Sequence, residues 1–428
     1  MIKKIGHILS KDVVKVFSLN AMATLVKMLT SFVSIKIVAV LIGPAGIALL
    51  GQLSNFSSIF LSLSTGGINS GVTKYVAQHQ NSPKKIELYL QTSVWITIIC
   101  TIIGSIVLIL GSGYFSHLIL NDTKFQSIII VFGITLILYA ANNLLLSVLN
   151  GYKHFKLYVR INMLGSILSL LFSAILAYFY GIYGALLASI TYQSVVFIVT
   201  FLYCLKCKWF TIKSFFGRFS KFAGIRLAHY SAMALVSAAT VPVSQLIVRS
   251  RIVQHASLHD AGIWEGVNKI SGMYLMVITT SLAIYYLPRF SELVKHSELR
   301  REVISAYRLI IPILVIISLS IFFLQKWIIL ILFNSEFLSM KELFPFQLIG
   351  DFFKIAGWIL SFQMVAKSMS KMYVITELLS SVCFVVISFL LVNRYGVYGA
   401  TVSYAITYIF YFILMVMIFR KLIFNREQ

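Results

Sequence analysis

Three lysines, Lys27, Lys269 and Lys354, each lie inside a stretch of chain apolar enough to cross a bilayer. By insertion scales a charge at the membrane centre costs roughly 2.5–3.5 kcal/mol, so such a residue usually faces a cavity and serves a path or a ligand. At about 1.5 Å per residue, Lys27 lies roughly 14 Å from the inner boundary of its span near Ser18, and Lys354 roughly 14 Å from its outer boundary near Pro345. In a hydrocarbon core about 30 Å thick, both are near the middle. Cations gathered there, with few acids beside them, are suited to holding an anion. Lys36, nearer the outer end of the first span, can snorkel and reads as structural.

The acids are fewer and more telling. Asp351 stands three residues before Lys354 and Glu265 four before Lys269, so each can pair with its lysine on one helix face. A neutralised pair and a functional role are both open for these; Lys27 has no acid within a turn. No histidine sits mid-span, which argues against a histidine proton relay or a buried metal site. Carboxylates are then the titrating groups available, with Asp351 the deepest, Glu265 shallower and Glu377 near an inner end. Burial disfavours charge on Asp351 and a neighbouring lysine favours it, so its protonation would follow what Lys354 is doing.

Helices must position these groups, and helical spacing sorts the polar residues into faces. Asn20, Thr24, Lys27, Ser31 and Ser34 follow steps of four and three, as do Asn55, Ser58, Ser62, Thr65 and Asn69. Gln347, Asp351, Lys354, Trp358 and Ser361 repeat the pattern, and Glu265, Lys269, Gly272 and Thr279 form a sparser one. Small and weakly polar residues also serve helix packing in membranes, which accounts for most of the serines but not for the charges.

With hydrophobic residues at 59%, charged residues at 11% and a mean hydropathy of +0.91, the chain reads as an all-α integral membrane protein. Apolar runs of about 20 residues give twelve expected spans. The formal net charge of +23 is unevenly spread: about 26 of the 36 Lys and Arg residues fall on one side if the N-terminus is inside. That bias predicts both termini cytoplasmic, and it reads as topology and anionic-lipid contact, with no nucleic acid expected as partner. No cleavable signal is evident. Ile5, Ile8, Leu9, Val13 and Val16, interleaved with Lys4, Lys11 and Lys15, fit an amphipathic surface helix. The lone Cys204-x-x-Cys207 reads as two small residues at a helix end.

The chain repeats itself. Tyr180-Gly-Ile-Tyr-Gly-Ala185 returns as Tyr395-Gly-Val-Tyr-Gly-Ala400, and Ala45-Gly-Ile47 as Ala261-Gly-Ile263, at offsets of 215 and 216. Two echoes at nearly one offset point to duplication of a six-span unit, and parallel repeats of that kind are a transporter design. The expected division is an interfacial segment 1–17, a first bundle 18–206, a basic linker 207–224, a second, pseudo-symmetric six-helix bundle 225–419 and a tail 420–428. Pro242 is expected to kink the seventh span, and Gly66-Gly67 to loosen the inner end of the second. The longest outer loops, Gly111–Phe125 and Arg249–Gly262, are each some 15 residues, short for a catalytic domain. No G-x-x-x-x-G-K-[ST] string is present, so ATP is not expected as the direct energy source.

Gly43-Pro-Ala-Gly46, Gly71-Val-Thr-Lys-Tyr-Val-Ala-Gln78, Gly262-Ile-Trp-Glu-Gly266, Tyr286-Leu-Pro288 and Gln347-Leu-Ile-Gly-Asp-Phe-Phe-Lys354 resemble the Wzx-type flippases of Gram-negative bacteria. These form part of the polysaccharide-transporter branch of the multidrug/oligosaccharidyl-lipid/polysaccharide exporter superfamily. The resemblance runs from about Asn20 to the twelfth span and is closest to the O-antigen and enterobacterial common antigen members. It implies twelve transmembrane helices in two MATE-like bundles, a cationic central cavity, and translocation of undecaprenyl-diphosphate-linked oligosaccharide across the inner membrane. Lys74, Asp351 and Lys354 stand at matching positions. Trp264-Glu-Gly266 departs from the Trp-Gln-Gly of the common-antigen members, so details of substrate are not carried over.

On this reading Lys27, Lys74, Lys269 and Lys354 bind the diphosphate, Asp351 and Glu265 are the candidates for ion coupling, and Asn55, Trp264 and Trp358 meet the sugars. Tyr274 is a further aromatic wall. No enzymatic activity, metal or cofactor is expected; energy would come from an ion gradient, with protons the candidate ion. Membrane lipids, a glycan polymerase and a chain-length regulator are the candidate partners. A drug or metabolite antiporter of the same superfamily would more naturally line its site with acids. A membrane glycan polymerase would want carboxylates on a large outer loop, which the chain lacks.

Overall fold

In a bilayer every backbone N–H and C=O must be satisfied within its own segment or a closed sheet, so a long apolar chain has little choice but helix. The computed structural model describes residues 11–80, 82–207, 209–293, 295–367 and 369–424, and among them it has helices and turns with no strand. Residues 1–10, which hold much of the expected surface helix, and 425–428 lie outside the described residues, as does the side chain of Asn20.

The helices are α1 (Lys11–Ser64), α2 (Asn69–Gln78), α3 (Pro83–Leu110), α4 (Ser112–Leu120), α5 (Gln126–Gly151), α6 (Phe155–Leu205) and α7 (Lys221–His255). They continue as α8 (Leu258–Ser281), α9 (Leu287–Glu292), α10 (His296–Leu332), α11 (Phe344–Ala366), α12 (Ser370–Ile418) and α13 (Arg420–Phe424). Among the described residues seven helices are long and apolar enough to cross a membrane. Three of them, α1, α6 and α12, are far longer than the roughly 20 residues one crossing needs. Each is bent at a glycine with non-helical torsions: Gly43 (φ 64°), Gly181 (φ 55°) and Gly396 (φ 56°). The expected twelve spans are thus met only in part by length and hydropathy. The helices α7 and α8, expected as the seventh and eighth spans, are not among the seven, and α8 carries Glu265, Asn268 and Lys269.

The repeated hexapeptides now have a physical reason. Gly181 and Gly396 are their first glycines and share a left-handed conformation that a Cβ would oppose. Their second glycines, Gly184 and Gly399, admit the carbonyls of Leu176 and Leu391, again 215 apart, where a Cβ would overlap them. Gly66 and Gly67 also have positive φ, and they break α1 from α2 as expected.

The chain forms two compact units. Among the described residues, one comprises 11–41 with Gln52–Pro242; the other comprises Ile42–Gly51 with 243–424. The first has a core around Val72, Tyr89, Leu145, Val148 and Leu227, with Cys204 buried in it. The second has a core around Leu282, Phe290, Ile355, Leu360 and Tyr411. The basic linker packs on the first unit: Trp95 Nε1 donates to the Gly217 carbonyl at 2.8 Å, and Ser214 Oγ to Glu87 Oε1 at 2.9 Å. The expected outer loop Arg249–Gly262 contracts to two residues, because α7 runs on to His255 and Ser257 caps α8, its Oγ accepting from the Asp260 N–H at 3.0 Å.

Candidate functional site

The α11 helix admits Pro345 in its first turn, where a missing N–H costs nothing, and sets Gln347, Asp351, Lys354, Trp358 and Ser361 along one face. Gly350 leaves room for the ring of Tyr404 on α12, which a Cβ would overlap, and this brings the phenol to the neighbouring carboxylate. Asp351 is 0% exposed. Its Oδ2 accepts from Ser271 Oγ at 2.6 Å and from the Tyr274 hydroxyl, both on α8, and its Oδ1 accepts from the Tyr404 hydroxyl at 2.7 Å. Hydrogen bonds to a charged group contribute about 1.5–3 kcal/mol each, so three donors go far to hold a carboxylate without water.

Asp351 and Lys354 are close, yet they do not form the direct pair their spacing suggested. Lys354 Nζ donates to the Tyr404 hydroxyl at 3.2 Å, so one phenol accepts from the ammonium and donates to the carboxylate. The ammonium lies 4.9 Å from the ring centroid of Tyr408, 5.0 Å from Trp358 and 5.4 Å from Tyr404. Three aromatic faces thus replace part of its hydration. Trp358, expected as a sugar contact, packs against the lysine.

Glu265 pairs with Lys269 Nζ at 3.4 Å, as spacing predicted, and also with Arg249 of α7. Gly51 lets the carboxylate in, since a Cβ there would fall on it. Arg249 is 1% exposed, lies 5.5 Å over the Trp264 ring, and has Nε and Nη1 without partners in the structure. It was expected among the outer-loop cations; the longer α7 carries it into the core instead. Removing one member of a buried pair leaves the other charge uncompensated, at about 3–5 kcal/mol. Arg249→Met is therefore expected to lower the melting temperature in detergent by several degrees, and adding Glu265→Gln to restore part of it. Equal losses in the single and double variants would show that the pair is not what the site depends on.

The remaining expected residues are scattered. Lys27 on α1 and Lys74 on α2 are exposed and belong to the first unit, with Lys74 Nζ 5.5 Å from the Tyr75 ring centroid. Asn55 is half-buried on α1. Trp264 is completely buried in a cluster with Ala48, Val248 and Ala400, so it packs the second unit rather than forming an open sugar wall. The structure brings together Asp351, Lys354, Trp358 and Tyr274, and separately Glu265, Lys269 and Trp264. Sequence reasoning missed Tyr404, Tyr408, Ser271 and Arg249.

The profile of the polysaccharide biosynthesis protein family matches residues 13–294. The Lipid III flippase of Escherichia coli (strain K12) is 28% identical over 401 residues, which cover 92% of this chain and 94% of that protein. A multidrug resistance MATE family transporter of the MOP superfamily, solved in an inward-facing conformation, superposes with a TM-score of 0.79 at 12% identity, covering 92% of this chain and 95% of that one. An outward-facing conformation from the same family gives 0.70 at 13% identity, covering 95% and 94%. At such identities the likeness establishes the fold: a MATE-like, all-helical, multi-pass membrane architecture.

Proposed function

This chain belongs to the polysaccharide biosynthesis protein family, and we propose that it is a flippase moving undecaprenyl-diphosphate-linked O-antigen or related glycan units across the bacterial inner membrane. Full-length similarity to a protein named Lipid III flippase carries the proposal. The chemistry fits. A diphosphate needs cations in a low-dielectric setting, and each unit supplies an intramembrane lysine, Lys27 in the first and Lys354 in the second. The polyprenyl tail can remain in lipid throughout. Relatives solved in inward- and outward-facing conformations support alternating access as the mode of transport. Coupling to an ion gradient, with protons the first candidate, is assigned to Asp351, and a polymerase or chain-length regulator would take up the flipped unit.

Cells lacking the protein are expected to lose surface glycan and to accumulate its lipid-linked precursor in the cytoplasmic leaflet. Accumulation in the outer leaflet would place the defect after translocation and contradict the proposal. Orientation has its own test. With both termini cytoplasmic, cysteines placed at Lys213 and Lys295 resist a membrane-impermeant thiol reagent in intact cells, whereas one at Ser257 reacts. Labelling at Lys213 from outside would overturn this topology.

A further inference from the structure

The first unit contains a cavity of about 460 Å³ walled by α1, the start of α2, α5, α6 and α7. Its volume falls in the ~300–1,000 Å³ range of small-molecule sites. Four residues of the second polar stripe, Ser58, Ser62, Thr65 and Asn69, line it, so this stripe faces open space as well as neighbouring helices. Opposite them stand Tyr139 and Asn143 of α5 and Tyr192 and Gln193 of α6. Among the described residues that line it, none carries a formal charge and none belongs to the second unit.

The neutrality discriminates between ligands. A diphosphate would demand cations and a cationic drug a carboxylate, but a neutral polyol demands neither. It asks for interleaved donors and acceptors and for flat apolar faces. The walls offer these. Ser58 Oγ donates back to the Ser54 carbonyl at 2.7 Å and keeps its acceptor lone pairs. Asn143 Nδ2 uses one N–H on the Tyr139 carbonyl at 3.3 Å, and Gln193 Nε2 one on the Tyr192 hydroxyl at 2.9 Å, leaving amide donors and oxygens to spare. Two phenol rings supply the flat faces. Such a concentration of amides and hydroxyls is unusual inside a span unless it meets a polar guest or water.

We propose that this first-unit cavity is a carbohydrate subsite that binds sugar rings of the lipid-linked glycan, apart from the lysines that hold its diphosphate. It rests on the flippase function proposed above and adds to it where the sugars are read. The cavity takes over the role expected of Asn55 and Trp264: Asn55 lies beside the lining residues on α1, and Trp264 is buried elsewhere.

The test compares two probes on the purified full chain in nanodiscs. One is the lipid-linked oligosaccharide extracted from cells lacking the protein; the other is bare undecaprenyl diphosphate. The parent is expected to bind the first more tightly. The double variant Asn143→Leu/Gln193→Leu is expected to weaken it at least tenfold, towards the affinity of the bare lipid, which itself stays unchanged. Tyr192→Phe, which removes one hydroxyl, keeps the test alive if the double variant does not fold, and is expected to shift the ratio of affinities in the same direction by a few fold. An unchanged ratio in both variants would mean that the cavity holds only water, and equal weakening of both probes a structural role; either result overturns the proposal. If the parent binds neither probe better than undecaprenol, the flippase reading itself fails, and the subsite with it.

Discussion

Lys354→Ala is expected to abolish surface glycan while the protein still reaches the membrane in normal amount, and Lys27→Ala to do the same from the first unit. Lys354 holds its ammonium against three aromatic rings, on the helix turn beside the buried carboxylate of Asp351. Losing one charge-assisted bond to a diphosphate, about 1.5–3 kcal/mol, would lower transport roughly 10- to 150-fold. Lys27→Arg is expected to be better tolerated than alanine, because charge would be the main requirement at an exposed position. Lys354→Arg is expected to be intermediate, since a planar guanidinium is larger than the ammonium that lies against the three rings. Immunoblots of membranes separate transport from insertion, and normal export by both alanine variants would remove the cationic basis of the mechanism.

Asp351→Asn is expected to uncouple transport from an imposed pH gradient in proteoliposomes while leaving the fold intact. The substitution keeps the shape of the side chain and mimics a permanently protonated acid. In the structure Tyr404 links the two charges, donating to Asp351 and accepting from Lys354. On the proposed function, an ammonium that turned to a diphosphate would open that link, take a neighbouring cation from the carboxylate and bring new negative charge near it; each change would favour proton uptake. Loading and protonation would thereby be joined through residues one helical turn apart. Tyr404→Phe keeps both charges and removes the link, so it is expected to weaken the response to the gradient without abolishing binding. If Asp351→Asn follows the gradient as the parent does, the carboxylate only positions Lys354 and its tyrosine.

Much of this was legible in the chain because helices in lipid leave strong marks. The i, i+4 spacing of Glu265 and Lys269 predicted a contact that is present at 3.4 Å. The repeated Tyr-Gly-x-Tyr-Gly-Ala strings marked two bends whose leading glycines share one conformation. What escaped depends on contacts between helices, which spacing along one helix does not encode. Tyr404 lies 53 residues from Asp351 and reaches it because Gly350 lets the ring approach. Arg249 was read as an outer cation because polar residues at a span end look like loop, yet the helix continues for another turn and more and buries it. Trp264 shows the same ambiguity in reverse: an aromatic near a helix start fits a wall or a core, and packing with Val248 and Ala400 makes it core. Serines at helical spacing likewise fit packing or lining, and only the helices facing Ser58 and Ser62 reveal the cavity.

Translocation can be followed with purified protein in sealed liposomes carrying the lipid-linked oligosaccharide extracted from cells that lack the protein. A glycan-cleaving enzyme added outside reports how much substrate is exposed. With the protein present, and a pH gradient imposed in either direction, the protected inner-leaflet pool is expected to become cleavable at a rate that rises with protein per vesicle. An inner pool that stays protected, turning over no faster than in protein-free liposomes under both gradients, would mean that the protein does not move the lipid-linked glycan.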